Sequence, residues 1–267
     1  MPAALAPSVI PLHPRSPCAA PGAGMGAQGR IADMLALLAA TMPLHRRIVH
    51  AGELVHRGGD GFTQLSVVHC GVFKIVSTTP DGREHVVGLG FRGDWLGLDG
   101  IASRRHTSDA VALDTGEIWV LRYDGLLQAC AAHPRLLQVL HAEMSRALVG
   151  AREGVLARHT LPVTARVADF VLRWATTLGR RGQRVDQIKL QMTRAEIGNY
   201  LGMTLESVSR ALSRMVSCRV IHFSERGRRV IQIPDLQALA AFVQAHAQAD
   251  EAEPAASPRV AAHTARA

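Results

Sequence analysis

The chain has 267 residues, enough for one large or two modest domains, and 48% of them are hydrophobic, enough to fill real cores. The formal net charge of +8 favours an anionic partner. The cysteines Cys18, Cys70, Cys130 and Cys218 are far apart and form no C-x-x-C pair. This spacing argues against a disulfide framework and against a zinc knuckle. It is consistent with a reducing, cytoplasmic setting. No apolar run is long enough for a membrane span, and the N-terminus lacks a secretory signal, so no membrane partner is expected.

The first part of the chain changes from a tail without pattern to short strands. Residues 1–28 are rich in Ala, Pro and Gly and are predicted to be a disordered tail. An amphipathic helix is predicted over Arg30–Ala40. The segment Leu65–Val76 has the composition of a strand, and the turn Pro80-Asp81-Gly82 precedes a return strand at Glu84–Leu89.

A further pair of strands within Ser108–Leu121 is predicted around the turn at Asp114-Thr115-Gly116. Several short strands at this spacing are typical of a small antiparallel barrel or sandwich. Residues 29–133 are therefore predicted to form one β domain.

A long helix is predicted next, over residues 134–159. Its apolar residues recur with alternating spacings of three and four, as in a coiled coil. The residues of this predicted seam are Leu137, Leu140, Met144, Ala147, Ala151 and Val155. We interpret the helix as a dimerisation helix, and the alternative is a helix that packs on its own domain.

Residues 160–240 hold a pattern of two short helices joined by a tight turn, at 194–213. Thr193 and Glu196 have the spacing of a capping box, and Gly202 supplies a turn residue that reaches positive φ easily. Thr204 is predicted to cap the second helix. This is the layout of a helix-turn-helix, and the alternative is a helical hairpin within a globular core.

The second helix has two distinct faces. Val208, Leu212 and Met215 recur at spacings of four and three and are predicted to pack inward. Other faces of the helix carry three polar candidates for reading DNA bases, namely Glu206, Ser209 and Arg210. An arginine can bind guanine O6 and N7, a glutamate can accept from cytosine N4, and a serine can approach either base edge.

Contacts to the DNA backbone are predicted from Thr193, Arg194 and Arg214, and from a wing formed by two short strands after Met215. The wing tip carries Arg226 and Arg228. The alternative for the tip is a solvated basic turn. From residue 160 to 240 there are 13 Lys+Arg and 6 Asp+Glu, hence 13 − 6 = +7, so nearly all the net charge lies in this third. Residues 250–267 are predicted to be a disordered tail.

Taken in this order, the chain resembles the Crp/Fnr family of bacterial transcription regulators over roughly residues 31–239. The N-terminal part of the resemblance rests on the glycine frame Gly52, Gly59-Asp60, Gly71, Gly93-Asp94 and Gly97, and the C-terminal part on MTRAEIGNYLGMTLESVSRALSRM. The resemblance implies an α+β fold with an N-terminal cyclic-nucleotide-binding-like β-roll, a long dimerisation helix and a C-terminal winged helix-turn-helix.

Glu206-Ser207-Val208-Ser209-Arg210 matches the Glu-x-x-Ser-Arg pattern of the Fnr branch. The resemblance implies a homodimeric activator that binds double-stranded DNA at an inverted repeat close to TTGAT-N4-ATCAA and contacts RNA polymerase. The alternative is an effector-gated sensor module whose main task is to bind haem, a gas or a cyclic nucleotide in the β-roll.

The cofactor expectations are mostly negative. Fnr holds an iron–sulfur cluster on closely spaced cysteines, whereas Cys18 is alone and Trp119 stands in place of the roll cysteine, so a cluster is not expected. Thr107-Ser108 stands where Crp has the Arg-Ser pair that meets cyclic AMP, so cyclic nucleotide is not expected either. Haem stays an option, although no histidine has a distinguishing context. No metal-ligand motif and no nucleophile–base pair is present, so neither a metal site nor an enzyme is predicted.

Overall fold

The computed structural model describes residues 24–224 and 229–248. Within them the helices are α1 (Gly24–Thr41), α2 (Gly100–Ser103), α3 (Tyr123–Ala132), α4 (Pro134–Thr160), α5 (Val163–Arg180), α6 (Arg194–Leu201), α7 (Leu205–Ser217) and α8 (Leu236–Gln248). The strands are β1 (His45–Val49), β2 (Leu54–His56), β3 (Gln64–Cys70), β4 (Phe73–Thr78), β5 (Glu84–Gly90), β6 (Trp95–Leu96), β7 (Asp109–Ala112), β8 (Gly116–Arg122), β9 (Gln187–Lys189), β10 (His222–Phe223) and β11 (Val230–Gln232).

The first eight strands form a β-roll of two four-stranded antiparallel sheets, in the orders β1-β8-β3-β6 and β2-β7-β4-β5. Strands β3 and β8 are buried on both faces: Leu65, Val67 and Leu121 pack in one core with the helices, whereas Val68 and Ile118 pack between the two sheets. The α+β architecture with an N-terminal roll is therefore confirmed.

Two details of the predicted strands are wrong. The segment Leu65–Val76 is not one strand, because Gly71 has φ +96° and its missing side chain lets the chain pass within contact of Gly116. The chain therefore leaves β3 in one sheet and enters β4 in the other. The strands flanking Asp114-Thr115-Gly116 also do not pair with each other, since β7 pairs with β2 and β4 while β8 pairs with β1 and β3.

Helix α1 begins earlier than predicted, so residues 24–28 belong to a helix and not to the predicted tail. The buried side chains of α1, among them Met34 and Leu38, pack with Leu136 and Leu140 of α4 and with β-roll residues in one core. Burial of this stripe stabilises a helix that extends beyond the amphipathic pattern. The remainder of the predicted tails, residues 1–23 and 250–267, lies outside the described residues.

The C-terminal part is a winged helix-turn-helix. Helices α5 to α8 surround a core that includes Trp174, Ile197 and Leu212, and β10, β11 and β9 form a three-stranded antiparallel sheet beside them. This core continues into the β-roll, where Phe91 meets Trp174 edge-on with ring centroids 5.2 Å apart. The roll and the helix-turn-helix are therefore in direct apolar contact within one chain.

Candidate DNA-binding surface

Both helices of the helix-turn-helix begin at the residues that the sequence predicts. The Thr193 hydroxyl accepts from the backbone N–H of Glu196 (3.2 Å), and the Glu196 carboxylate accepts from the backbone N–H of Thr193 (2.8 Å), which completes a capping box. Helix α6 ends at Gly202, whose φ is +68°. The Thr204 hydroxyl then accepts from the backbone N–H of Ser207 (3.2 Å) and caps α7.

Helix α7 buries one face and exposes the other. Val208, Leu212 and Met215 are fully or nearly fully buried, as predicted, and Ala211 lies with them. Glu206 and Arg210 are exposed four residues apart on the opposite side, and Ser209 is half-buried beside them. The exposed face continues through Ser213, which lies seven residues after Glu206 and which sequence reasoning missed. The helical spacing that identified Glu206 and Arg210 is the signal that would have found it.

Ser209 has a second role, which is to hold another predicted DNA contact. The Arg194 side chain donates from Nη1 to the Ser209 hydroxyl oxygen at 3.1 Å, and its guanidinium lies over the Phe223 ring, 5.8 Å from the ring centroid. A hydroxyl has one donor and two acceptor sites, so Ser209 keeps its proton for a further partner while it orients Arg194. The structure thus joins α6, α7 and the first wing strand through one arginine.

The predicted cytosine acceptor, Glu206, is a charged acceptor at neutral pH. Its own backbone N–H and the Thr204 hydroxyl, followed by the charge of Arg210, lower the pKa of Glu206 below its usual range. These groups lie at the N-terminal end of α7, where the helix dipole favours negative charge.

Among the predicted backbone contacts, Arg214 and Thr193 are exposed and Arg194 is half-buried. The Thr193 hydroxyl also donates to the Glu196 carboxylate at 2.9 Å, so its polar atoms already have partners within the capping box. The wing residues Arg226 and Arg228 lie outside the described residues.

Glu196 connects the helix-turn-helix to the β-roll. Its carboxylate pairs with Lys74 of β4 at 2.6 Å, and one turn later the Asn199 side chain accepts from the backbone N–H of Val86 (2.6 Å) and donates to the carbonyl of Glu84 (2.8 Å). Burial raises the pKa of Glu196, but the hydrogen bonds from Lys74 and Thr193 outweigh it and lower that pKa overall. The residue that caps α6 therefore also fixes the position of α6 on the roll.

The predicted dimer seam on α4 needs correction at one residue. Leu140 is 4% exposed and packs with Leu136 in the core of its own chain, so it is not accessible to a second copy. Leu137, Met144, Ala147, Ala151 and Val155 are exposed. Leu148, which the sequence-based seam omitted, is 53% exposed and shares one face with Leu137, Met144, Ala151 and Val155.

The comparisons agree with this geometry. Residues 165–242 match the model for the Crp-like helix-turn-helix domain, and residues 46–133 match the cyclic nucleotide-binding domain. Electron transport regulator A of Shewanella oneidensis is 30% identical over 195 residues, which are 73% of this chain and 78% of that protein. The chain belongs to the Crp/Fnr family. It is a DNA-binding transcription regulator of that family.

One more relative supports this assignment, and a solved structure shares the fold. The fumarate and nitrate reduction regulatory protein of Yersinia pestis is 30% identical over 195 residues, which are 73% of this chain and 77% of that protein. The solved structure of FixK2 from Bradyrhizobium japonicum superposes with a TM-score of 0.67 at 24% identity and covers 75% of this chain and 97% of that one. This second likeness shows the Crp/Fnr fold.

In the β-roll, the residues at the place of the Crp-type phosphate contact bind a carboxylate instead. Asp99 Oδ2 accepts from the Thr107 hydroxyl (2.5 Å), the Ser108 hydroxyl (2.8 Å) and the backbone N–H of Thr107 (3.1 Å). The nearby Arg105 donates to the Gly59 carbonyl, and Arg104 lies over the ring of Tyr123. The hydroxyl donors of Thr107 and Ser108 are therefore occupied by a carboxylate, and a negative charge lies beside them.

Beside Asp99 lie two imidazoles that belong to distant parts of the sequence. The rings of His56 and His106 stack with their centroids 4.0 Å apart. Each of His56, Asp99 and His106 has one side-chain atom that can ligate a metal ion, and these three atoms lie within 4.8 Å of one another. We call these three residues the His–Asp cluster. Of the residues that the structure describes, these alone bring three such atoms together, and no cysteine is among them.

Burial, and after it the charge of His106, lower the pKa of His56 to about 4. Burial also lowers the pKa of His106, while the carboxylates of Asp99 and Asp60 act in the opposite direction on both rings. Burial therefore favours the neutral form of both imidazoles.

The cysteines that the structure describes lie in three different settings. Cys70 is exposed at the end of β3, Cys130 is buried in α3, and Cys218 is exposed just after α7. Cys18 is outside the described residues. Among the helices that the structure describes, none has the length and apolar character to cross a membrane.

Proposed function

We propose that the protein is a homodimeric transcription activator of the Fnr branch that binds an inverted repeat close to TTGAT-N4-ATCAA. The observation that supports this most is the exposed face of α7, where Glu206 and Arg210 lie side by side and Ser209 is held against Arg194. Named relatives of the chain include fumarate and nitrate reduction regulatory proteins and the transcriptional activator Anr of Pseudomonas protegens, which agrees with an activator.

The roles of the three base-reading residues follow from their chemistry. Arg210 offers a planar fork of N–H donors that matches guanine O6 and N7, and one such bidentate contact contributes about 1–3 kcal/mol of discrimination. The ionised Glu206 accepts from cytosine N4. Ser209 donates its free proton to a base edge, while the Arg194 that it orients reaches the phosphates together with Arg214 and the N-terminal end of α6 at Thr193.

The dimer forms along α4. Leu137, Met144, Leu148, Ala151 and Val155 make one exposed apolar stripe, with spacings of seven, four, three and four residues. In a coiled coil the apolar residues recur at alternating spacings of three and four residues. The spacing of seven equals one spacing of three plus one of four, so the whole stripe fits that pattern. Two-fold symmetry then places two recognition helices on half-sites about one helical turn apart. This arrangement is why an inverted repeat is the expected target.

The β-roll is not proposed as a receptor for cyclic nucleotides. Asp99 occupies the hydroxyl donors of Thr107 and Ser108, and a phosphate would have to approach its carboxylate. Haem is the alternative ligand for the β-roll. RNA polymerase is the proposed partner of the DNA-bound dimer.

The test is fluorescence anisotropy with a labelled duplex that carries the repeat, beside a duplex in which the G·C pair of each half-site is replaced by A·T. We expect the wild type to prefer the first duplex and Arg210→Ala to lose that preference while it keeps weak, salt-sensitive binding. The matched control is Arg180→Ala, an exposed arginine at the end of α5, which should keep the preference. Equal losses of Arg210→Ala on both duplexes would show that Arg210 contacts only the backbone.

A further inference from the structure

The His–Asp cluster is assembled from three separate segments of the β-roll. His56 ends β2, Asp99 directly precedes α2, and His106 lies in the extended segment before β7. The segments are joined by backbone hydrogen bonds, since His106 donates from its N–H to the Asp60 carbonyl (3.0 Å) and its carbonyl accepts from Gly59 (2.7 Å). Asp99 is linked to the same segment as His106 by its hydrogen bonds with Thr107 and Ser108, so contacts within the fold hold the three segments together.

His106 is almost completely buried and its Nδ1 atom has no hydrogen-bond partner within the described chain. The residue is 4% exposed, between the face of His56 and the edge of Phe62, whose ring centroid is 5.4 Å away. A buried polar nitrogen without a hydrogen-bond partner is unfavourable, and an ion bound to it would satisfy its lone pair.

Gly97 provides the space for both imidazoles. It has φ +90°, and a Cβ atom there would lie 2.9 Å from Cε1 and 3.3 Å from Nδ1 of His106, and 3.5 Å from Cε1 of His56. The unpartnered nitrogen of His106 and one edge of His56 thus face the same side-chain-free position. Any other residue at 97 would displace the His106 ring.

Asp99 has the outer hydrogen bonds that a ligating carboxylate usually has. Its Oδ2 atom accepts from Thr107 and Ser108, which fixes the orientation of the carboxylate, whereas Oδ1 has no hydrogen bond within the described chain. Protein metal sites commonly hold their ligands by such second interactions. Asp99 is exposed, so an ion can enter from solvent and keep water as a further ligand.

We infer that His56, Asp99 and His106 bind one divalent first-row transition-metal ion in the β-roll. Two imidazoles and one carboxylate suit ions such as Zn²⁺ and do not suit Mg²⁺ or Ca²⁺, which prefer oxygen ligands. Zn²⁺ has ligands about 2.0–2.2 Å away, which places ligand atoms about 3.3 Å apart in a tetrahedron. The ligand atoms now lie within 4.8 Å of one another. Because the two rings stack with planes 13° apart, and a bound ion lies in the plane of each imidazole, the half-buried His56 ring must turn out of the stack to bind.

The experiment uses the full-length protein after treatment with a chelator. Zn²⁺ is titrated in competition with a chromophoric chelator, and Co²⁺ is titrated with detection of its visible d–d absorption, which is stronger for four-coordinate than for six-coordinate ions. We expect one ion per chain at this site. His56→Gln should weaken Zn²⁺ binding by more than about 100-fold, because a ligand is lost, and Ser108→Ala by about 10–100-fold, because Asp99 loses an orienting hydrogen bond.

The matched control is His85→Gln, an exposed histidine on β5, which should leave the affinity and the Co²⁺ spectrum unchanged. His56 is chosen over the buried His106 so that the variant keeps its fold, and circular dichroism checks this. Unchanged Zn²⁺ affinity in folded His56→Gln, no stoichiometric Zn²⁺ binding by the wild type, or Mg²⁺ binding as tight as that of Zn²⁺ would each overturn the assignment.

Discussion

Helix α7, the proposed recognition helix, and the His–Asp cluster differ in how their residues are brought together. Glu206, Ser209 and Arg210 lie within five consecutive residues, and one helical turn places them side by side. His56 and His106 meet only because the β-roll folds two distant segments against each other. The first surface is a property of local sequence, and the second is a property of the tertiary fold.

This difference explains which side chains have unusual surroundings. The residues of the recognition helix are mostly exposed, so their chemistry is close to that of the free amino acids, except where the helix N-terminus lowers the pKa of Glu206. In the cluster His106 is buried and His56 is half-buried, and the pKa values of both fall because burial disfavours the charged imidazole. A local motif can be recognised by residue type, whereas the cluster is recognised only by its environment.

Helix α7 is local in structure, but in the proposed dimer it acts together with a second copy, and Leu148→Glu tests that dependence. A charge in the apolar stripe of α4 should prevent pairing, so each recognition helix would bind its half-site alone. We expect the affinity for the inverted repeat to fall by about 10²–10⁴-fold, the usual gain from linking two sites. Light scattering measures the mass, and anisotropy measures the affinity.

Leu127→Glu is the control for this change, because Leu127 is also an exposed leucine (44%) but lies on α3. It should stay dimeric and keep its affinity. A dimeric Leu148→Glu protein with unchanged affinity would contradict the proposed seam.

Alanine substitutions at two glycines with positive φ compare the stability loss at the cluster with the stability loss in the helix-turn-helix. Gly97→Ala adds a Cβ against the packed His106 ring, so left-handed strain of about 1–2 kcal/mol is joined by an overpacking cost of about 1–3 kcal/mol. Gly202→Ala has no atom within 4 Å of the new Cβ, so only the strain of about 1–2 kcal/mol is expected. Urea unfolding measures the free energy of unfolding of both variants. Equal losses would show that the His106 ring moves aside without an energetic cost.

Much of the C-terminal fold could be predicted because its signals are local. The Thr193–Glu196 capping box, Gly202 and Thr204 are each read from a few neighbouring residues, and the structure places each of them as predicted. The candidates for reading DNA bases follow from the helical period, which places residues three or four apart on one face of α7. Ser213 was missed although that period contains it.

The β-roll was predictable in class but not in pairing. Strand composition indicates several short strands, yet Gly71 and the turn at residues 114–116 send consecutive strands into different sheets, which no local pattern reveals. The burial of Leu140 was missed because a three-four repeat does not tell which residues face the core of the same chain. The His–Asp cluster and the contact of Glu196 with Lys74 were missed because each joins residues that are distant in sequence.

The Lys74–Glu196 pair connects β4 of the roll to α6, and its charge gives a pH prediction. The folded pKa of Glu196 is lower than the unfolded value, so the pair stabilises the fold above the usual pKa of 4.5 and loses this contribution as pH falls through the lower folded value. We expect a coupling free energy of about 0.5–1 kcal/mol at pH 7 from a double-mutant cycle of Lys74→Met and Glu196→Gln. Glutamine keeps the capping box, so the cycle isolates the charge. Urea unfolding at pH 7 and at successively lower pH measures the coupling, and a coupling that grows in acid would show that the pair does not act through the Glu196 carboxylate.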